Sequence, residues 1–177
     1  MRVLITRTME RTGEDVDVLD AVARLDDASM TLRTRTPVCG ARTTVIDRLG
    51  SLRATGAIAE FEVQTWPGEV VLSDAAAPDG AIRTFERLEG WADERGASVR
   101  PAFDVRTVSS LVGNRREILT LPMMCLTVSS GDELVGVFPH QEGGNTVTIG
   151  DCLDAFERRA DGDRETDAPT GVEPVSP

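Results

Sequence analysis

The chain has 177 residues, the length of one domain with tails. It carries 30 acidic residues against 19 basic ones, all 19 of them Arg, for a net charge of −11. No apolar run approaches a membrane span, and the opening MRVLITRTMERTGEDVD turns acidic too early for an export signal.

Residues 1–29 have a weak pattern: Val18, Leu19, Val22 and Leu25 can line one face of a short helix. The acids around them keep that helix marginal. We expect 1–29 to be a disordered extension, or residues preceding a true start at Met30. Leu32–Thr36 alternates as a strand, and Pro37 and Gly40 break it. Ala41–Thr55 reads as a helix on Val45, Leu49 and Leu52, stopped by Gly56. Ile58–Trp66 and Glu69–Leu72 read as strands joined by a Pro67-Gly68 turn. After a loop over 73–80, Ala81–Arg95 is the strongest helix. Ile82, Phe85, Leu88 and Ala92 form its apolar arc, with Trp91 on the border. Val99–Val108 reads as a strand. Glu117–Val128 reads as a central strand whose Pro122 demands a bulge or an unpaired N–H. A turn at Ser129-Ser130-Gly131-Asp132 leads into Leu134–Phe138 as a hairpin. Thr148 and Asp151 form a capping box for a last helix, Ile149–Ala160. Residues 161–177 read as a disordered acidic tail.

The order from residue 30 is thus β-α-β-β-α-β-β-β-α. It implies an α+β fold: a two-layer α/β sandwich with a mostly antiparallel sheet, ferredoxin-like in outline, formed by a single domain over 30–160. Five Phe, two Trp and no Tyr leave the core to Val, Leu, Ile and Ala.

Charge and cysteine usage bear on setting. Ample Asp and Glu without Lys looks like proteins of halophilic archaea, where carboxylates hold water and ions and salt screens their repulsion. Residues 30–160 hold 18 acids and 14 Arg, so more than half of the acidic excess sits in the two ends. Cys39, Cys125 and Cys152 are an odd set with no close pair, as expected in a reducing cytoplasm.

Chemistry is sparse. Pro37–Thr44 is a strand–loop–helix start whose free N–H groups, Arg42 and Thr43 can hold an anion. Its spacing does not match a phosphate loop. Arg42, Arg48 and Arg53 on the same helix are candidate DNA contacts, and Arg115-Arg116 is a short basic pair. A helix followed by an Ile58–Leu72 hairpin is the local order of a winged helix, but a strand and Pro37 stand where a supporting helix belongs. Cys39, at a helix N-terminus, is the candidate reactive thiol. His140, the sole histidine, with Asn145 across the Glu142-Gly143-Gly144 turn, forms a candidate ligand loop. With the hairpin turn centred between Ser130 and Gly131, Cys125 stands opposite Gly136 and His140 lies roughly 13 Å further along, so no shared metal is expected. No catalytic triad, cofactor fingerprint or metal cluster emerges.

Phe61-Glu62-Val63-Gln64-Thr65-Trp66, Val70-Val71-Leu72-Ser73, Phe85-Glu86-Arg87-Leu88-Glu89-Gly90-Trp91-Ala92, Pro101-Ala102-Phe103, Leu121-Pro122-Met123-Met124-Cys125-Leu126 and Gly136-Val137-Phe138-Pro139 together resemble a family of small haloarchaeal proteins commonly labelled "HTH domain" proteins. The resemblance covers about residues 30–157 and implies a start near Met30. It also implies Cys in many members where this chain has His140. The label implies DNA binding, with no particular activity, substrate or cofactor. Three readings follow. The preferred one is a non-catalytic cytoplasmic regulatory or binding module with a protein or small-molecule partner and no membrane. The alternatives are a DNA-binding transcription regulator and a small enzyme using Cys39 or His140.

Overall fold

A computed structural model describes residues 17–72 and 79–166. The described chain starts in helix α1 (Val18–Ala23), capped by Asp17, whose carboxylate accepts from the Leu19 N–H at 3.0 Å. Strand β1 (Ala28–Thr34) follows, burying Ala28, Met30, Leu32 and Thr34 in strict alternation. Helix α2 (Ala41–Ala54) crosses over to β2 (Glu60–Thr65), which lies parallel to β1 with Met30 beside Phe61. A parallel neighbour needs such a crossover, because a tight turn can only reverse the chain.

Strand β3 (Glu69–Val71) leads to helix α3 (Asp79–Glu94) and then to a hairpin of β4 (Asp104–Ser109) and β5 (Arg115–Thr120). Strands β6 (Met124–Ser130) and β7 (Glu133–Phe138) form a second hairpin, and β8 (His140–Glu142) and β9 (Asn145–Val147) a third. Helix α4 (Ile149–Thr166) closes the described chain. Its capping box is made: Asp151 accepts from the Thr148 N–H and hydroxyl, each at 2.8 Å, and its own N–H donates back to Thr148 Oγ1 at 3.2 Å.

The class is α+β with mostly antiparallel sheets, as the element order implies. Where that order implies one sheet, however, the strands divide among three. A central sheet runs β2-β1-β6-β7, a second β3-β5-β4, and β8-β9 stand as a pair. The division falls at Pro122. The expected single strand Glu117–Val128 is two strands, because Pro122 has no N–H to give a ladder. Its flanks are tied elsewhere: Leu121 N–H donates to Gly68 O, and Met123 O accepts from Arg35 N–H. The expected strand Val99–Val108 likewise begins only at Asp104, after a turn containing Pro101. The expected Ile58–Leu72 hairpin does not form. Its two halves pair with β1 and β5 and not with each other.

Directly paired residues share a sheet face, so Met30, Val128 and Gly136 line one side of the central sheet together with Leu32, Leu126 and Phe138. Helix α1 docks on that side. A Cβ on Gly136 would stand 2.7 Å from Val22 Cγ1 and 2.8 Å from the Phe138 ring, so the close approach requires glycine. Arg159 of α4 donates to the Ala23 and Leu25 carbonyls at the end of α1 and pairs with Asp26 at 2.7 Å. Val18 and Val22 therefore belong to the core. The packed body includes α1, which lies before the expected boundary at Met30; residues 1–16 lie outside the described residues. At the other end α4 runs six residues past Ala160, and 167–177 lie outside the described residues.

Helix α3 packs against β7 through Trp91. The ring is buried, and its Nε1 donates to Val135 O at 3.2 Å. The aromatic cluster of Trp66, Phe85 and Phe103, with centroids 5.6–5.7 Å apart, ties α3 to the strands around it.

Candidate nucleic-acid interface

Two of the three arginines of α2, Arg42 and Arg48, are held by the protein itself. Arg42 is buried: its Nη1 donates to Arg35 O at 2.9 Å and also to Pro37 O. It thereby stitches together the loop that enters α2. Arg48 reaches α4, where it meets Glu157 at 2.8 Å and Asp154 at 2.5 Å. The hydrogen bonds to Glu157, then to Asp154, raise the pKa of this guanidinium above its ordinary value. Thr43 is exposed in the first turn of α2, and Arg53 is exposed in the last. Leu49 and Leu52 bury the inner face, with Val45 and Ile46 half-buried beside them. Among the described residues no two helices follow one another without an intervening strand.

Cys39 is exposed, and its thiol faces Pro37 O at 3.9 Å. Cys125 and Cys152 are buried. Burial pushes the Cys125 thiol up to about 12 and raises that of Cys152 as well, which keeps both protonated and inert.

His140 is buried between Trp91 and Phe138, each ring centroid 5.4 Å away. Its Nδ1 donates to Val137 O at 2.6 Å, and its Nε2 stands 3.8 Å from Glu142 with no hydrogen bond. Beside it a cleft of about 270 Å³ is lined by Val99, Arg100, Pro101, Ala102 and Pro139. Asn145 is exposed across the hairpin from Glu142, where Gly143 and Gly144 make the turn with φ of 56° and 82°. Two positive φ values are what a type I′ turn demands. Cys39 and His140 share no neighbour in these contacts.

The register beside His140 differs from expectation. Leu126 pairs with Phe138, so Cys125 stands level with Pro139 and not with Gly136. Two of the three residues of slip arise because the turn is Gly131-Asp132, with Gly131 at φ 57°. The third comes from a β-bulge between Val128 and Ser129. Among the described residues no group of three or more metal-ligating side chains comes together.

The β4–β5 hairpin is the region whose interest a motif search passes over. β3 flanks β5 as far as Val71–Ile118, and the Leu72 N–H donates to Glu117 O; beyond that level Val108–Arg116, Ser109–Arg115 and Ser110–Asn114 extend into solvent. The tip is well held. Ser110 N–H donates to Asn114 O at 3.0 Å, Gly113 N–H donates to Ser110 O at 3.0 Å, and Asn114 N–H donates to Ser110 Oγ at 3.3 Å. Leu111 and Val112 stand on that tip at 109% and 89% relative exposure. Residues 105–116 contain three Arg and no acid. Arg106 meets Glu69 at 2.5 Å. Arg115 and Arg116 are exposed and join none of the ion pairs among the described residues. The adjacent Arg115-Arg116 was the visible signal in sequence; its setting on a projecting ribbon was not.

Among the described residues no helix is long and apolar enough to cross a membrane. None of the curated proteins or solved structures matches the chain. A family model described as "Helix-turn-helix domain" matches residues 22–161, nearly the whole packed body, and the chain belongs to that family.

Proposed function

We propose that this protein is a non-catalytic regulatory module that binds DNA in the cytoplasm of a salt-adapted, haloarchaeal cell. The observation that carries the reading is the family match, which spans the packed body and not a fragment of it. The acidic net charge opposes it weakly. The matched region holds 21 of the 30 acids and 15 of the 19 arginines, so it is nearer to balance than the ends. Molar salt, for which a lysine-free acidic composition is suited, also shortens the reach of repulsion to about 3 Å. The test is enrichment of genomic DNA fragments on the purified full chain at several salt concentrations. A reproducible subset of fragments is expected. Recovery of all fragments in proportion to input, or of none, would overturn the reading.

A second reading, a module that binds a small molecule, is favoured by the cleft beside His140, whose Nε2 lacks a partner. Ligands that raise the melting temperature of the wild type and not of a His140→Phe variant would support it.

A further inference from the structure

We propose that the β4–β5 hairpin, and not a helix, is the element that enters DNA: a two-stranded ribbon set tip-first in the major groove. Arg115 and Arg116 lie against its phosphate walls, and Leu111 and Val112 lie at its floor. The proposal rests on the DNA-binding reading above and names the contact surface within it.

Dimensions come first. Beyond β3, the levels Val108–Arg116, Ser109–Arg115 and Ser110–Asn114 project the arm by about 10 Å, just past the roughly 8.5 Å depth of a major groove. A ribbon with its side chains is about 10 Å thick, and the groove is about 12 Å wide. The tip therefore reaches base edges before the body meets the backbone.

Charge follows the same direction. Adjacent residues on a strand point to opposite faces. Arg115 and Arg116 thus present one guanidinium to each wall of a groove that receives the ribbon edgeways. Thr107, Ser109, Ser110 and Asn114 add hydroxyl and amide groups of the kind that bond phosphate and sugar. In a chain with a net charge of −11, residues 105–116 carry three Arg and no acid, with the exposed Glu117 only at the base of the arm, which makes the tip complementary to a polyanion. A protein partner is the poorer fit, since an exposed Leu-Val pair flanked by arginines that join no ion pair among the described residues offers little apolar area to bury.

The apolar tip has its own role. At high salt the gain from counterion release shrinks, and contacts that do not depend on charge keep their strength. Leu111 and Val112 are suited to the thymine methyl, the one apolar group on the groove floor. Their backbone is held by the Ser110 hydrogen bonds, so little ordering is left to pay on binding.

The experiment measures binding of the full chain to a random-sequence duplex of about 30 base pairs, roughly three helical turns. A matched duplex carries deoxyuridine in place of thymidine. Titrations run from about 0.1 to about 1 M KCl. The wild type is expected to bind, and to bind the uracil duplex more weakly. Arg115→Ala/Arg116→Ala should lower the slope of log affinity against log salt by about two, a loss of about 50-fold at the low-salt end. Leu111→Ser/Val112→Ser should leave the slope unchanged, weaken binding about tenfold and abolish the preference for thymine over uracil. All four positions are exposed, so melting temperatures should not move. If the wild type binds and both variants bind equally well, the arm is not the contact element, although the DNA-binding reading stands. If the wild type fails to bind any duplex, that reading falls and the proposal with it. Sedimentation in which the tip variant alone dissociates a wild-type dimer, with DNA affinity unchanged, would assign the arm to contact between copies and overturn the proposal.

Discussion

Helix α2 and the β4–β5 hairpin each carry three arginines and divide them differently: in α2 two are held and Arg53 is exposed, while in the hairpin one is held and two are exposed. In α2, Arg42 is turned inward onto backbone carbonyls and Arg48 is clamped by Glu157 and Asp154. In the arm, Arg106 shares a carboxylate with β3 at Glu69, while Arg115 and Arg116 extend into solvent. A guanidinium whose donors are already met by the protein has little to offer a phosphate, however basic its helix looks in sequence. What marks an interface is therefore not the number of arginines but the number left without internal partners. The apolar residues divide the same way. Trp91 is sealed against the central sheet, whereas Leu111 and Val112 cover nothing.

Substitutions can break or sharpen this contrast. The largest effect is expected at Trp91. Trp91→Ala removes a buried ring and its hydrogen bond to Val135, and should cost about 3–5 kcal/mol in chemical denaturation. A cost below about 1 kcal/mol would place the ring outside the core and erase the apolar half of the comparison.

Arg42→Ala comes next. It leaves the Arg35 and Pro37 carbonyls without their charged donor in a part-buried loop, and should cost about 2–3 kcal/mol. A variant of wild-type stability with altered DNA affinity would reverse the assignment of this residue.

Arg48→Ala should cost about 1 kcal/mol, because its partners are half exposed to solvent and salt screens the pairs. The loss should shrink as KCl rises. A loss that does not depend on salt would mean that the aliphatic stem, and not the charge, joins α2 to α4.

The smallest effects belong to the arm. Leu111→Ser, Val112→Ser, Arg115→Ala and Arg116→Ala should each stay within about 0.5 kcal/mol of wild type. A larger loss in any of them would show that the arm is covered by some other part of the protein, and would remove the distinction between a structural and a presented set.

Much of the fold was legible because it follows from local periodicity. The alternation at β1, the apolar arc of α3 and the Thr148–Asp151 cap each depend on residues within one or two turns of one another. Three features were not legible. α1 looked too acidic to be structural, yet Val18 and Val22 are buried because Gly136, more than a hundred residues away, leaves room for them. Pro122 reads in sequence as an irregularity within a strand, whereas it is the point where the chain passes between sheets. The turn at Gly131-Asp132 and the bulge after Val128 together shifted the His140 strand by three residues. The candidate sites suffered in the same way. Arg42, Arg48 and Arg53 were grouped by spacing along one helix, which says where side chains leave the backbone and not what they meet.

By itself, then, the sequence determined the acidic lysine-free composition, the α+β class, most helices and strands and the α4 cap, since these depend on composition and on neighbours three or four positions apart. The tertiary structure alone decided which strands share a sheet, that α1 completes the core, and which arginines are engaged among the described residues. Those outcomes turn on contacts between residues distant in the chain. A hydrogen-bond partner or a neighbouring side chain in space leaves no periodic trace along the sequence.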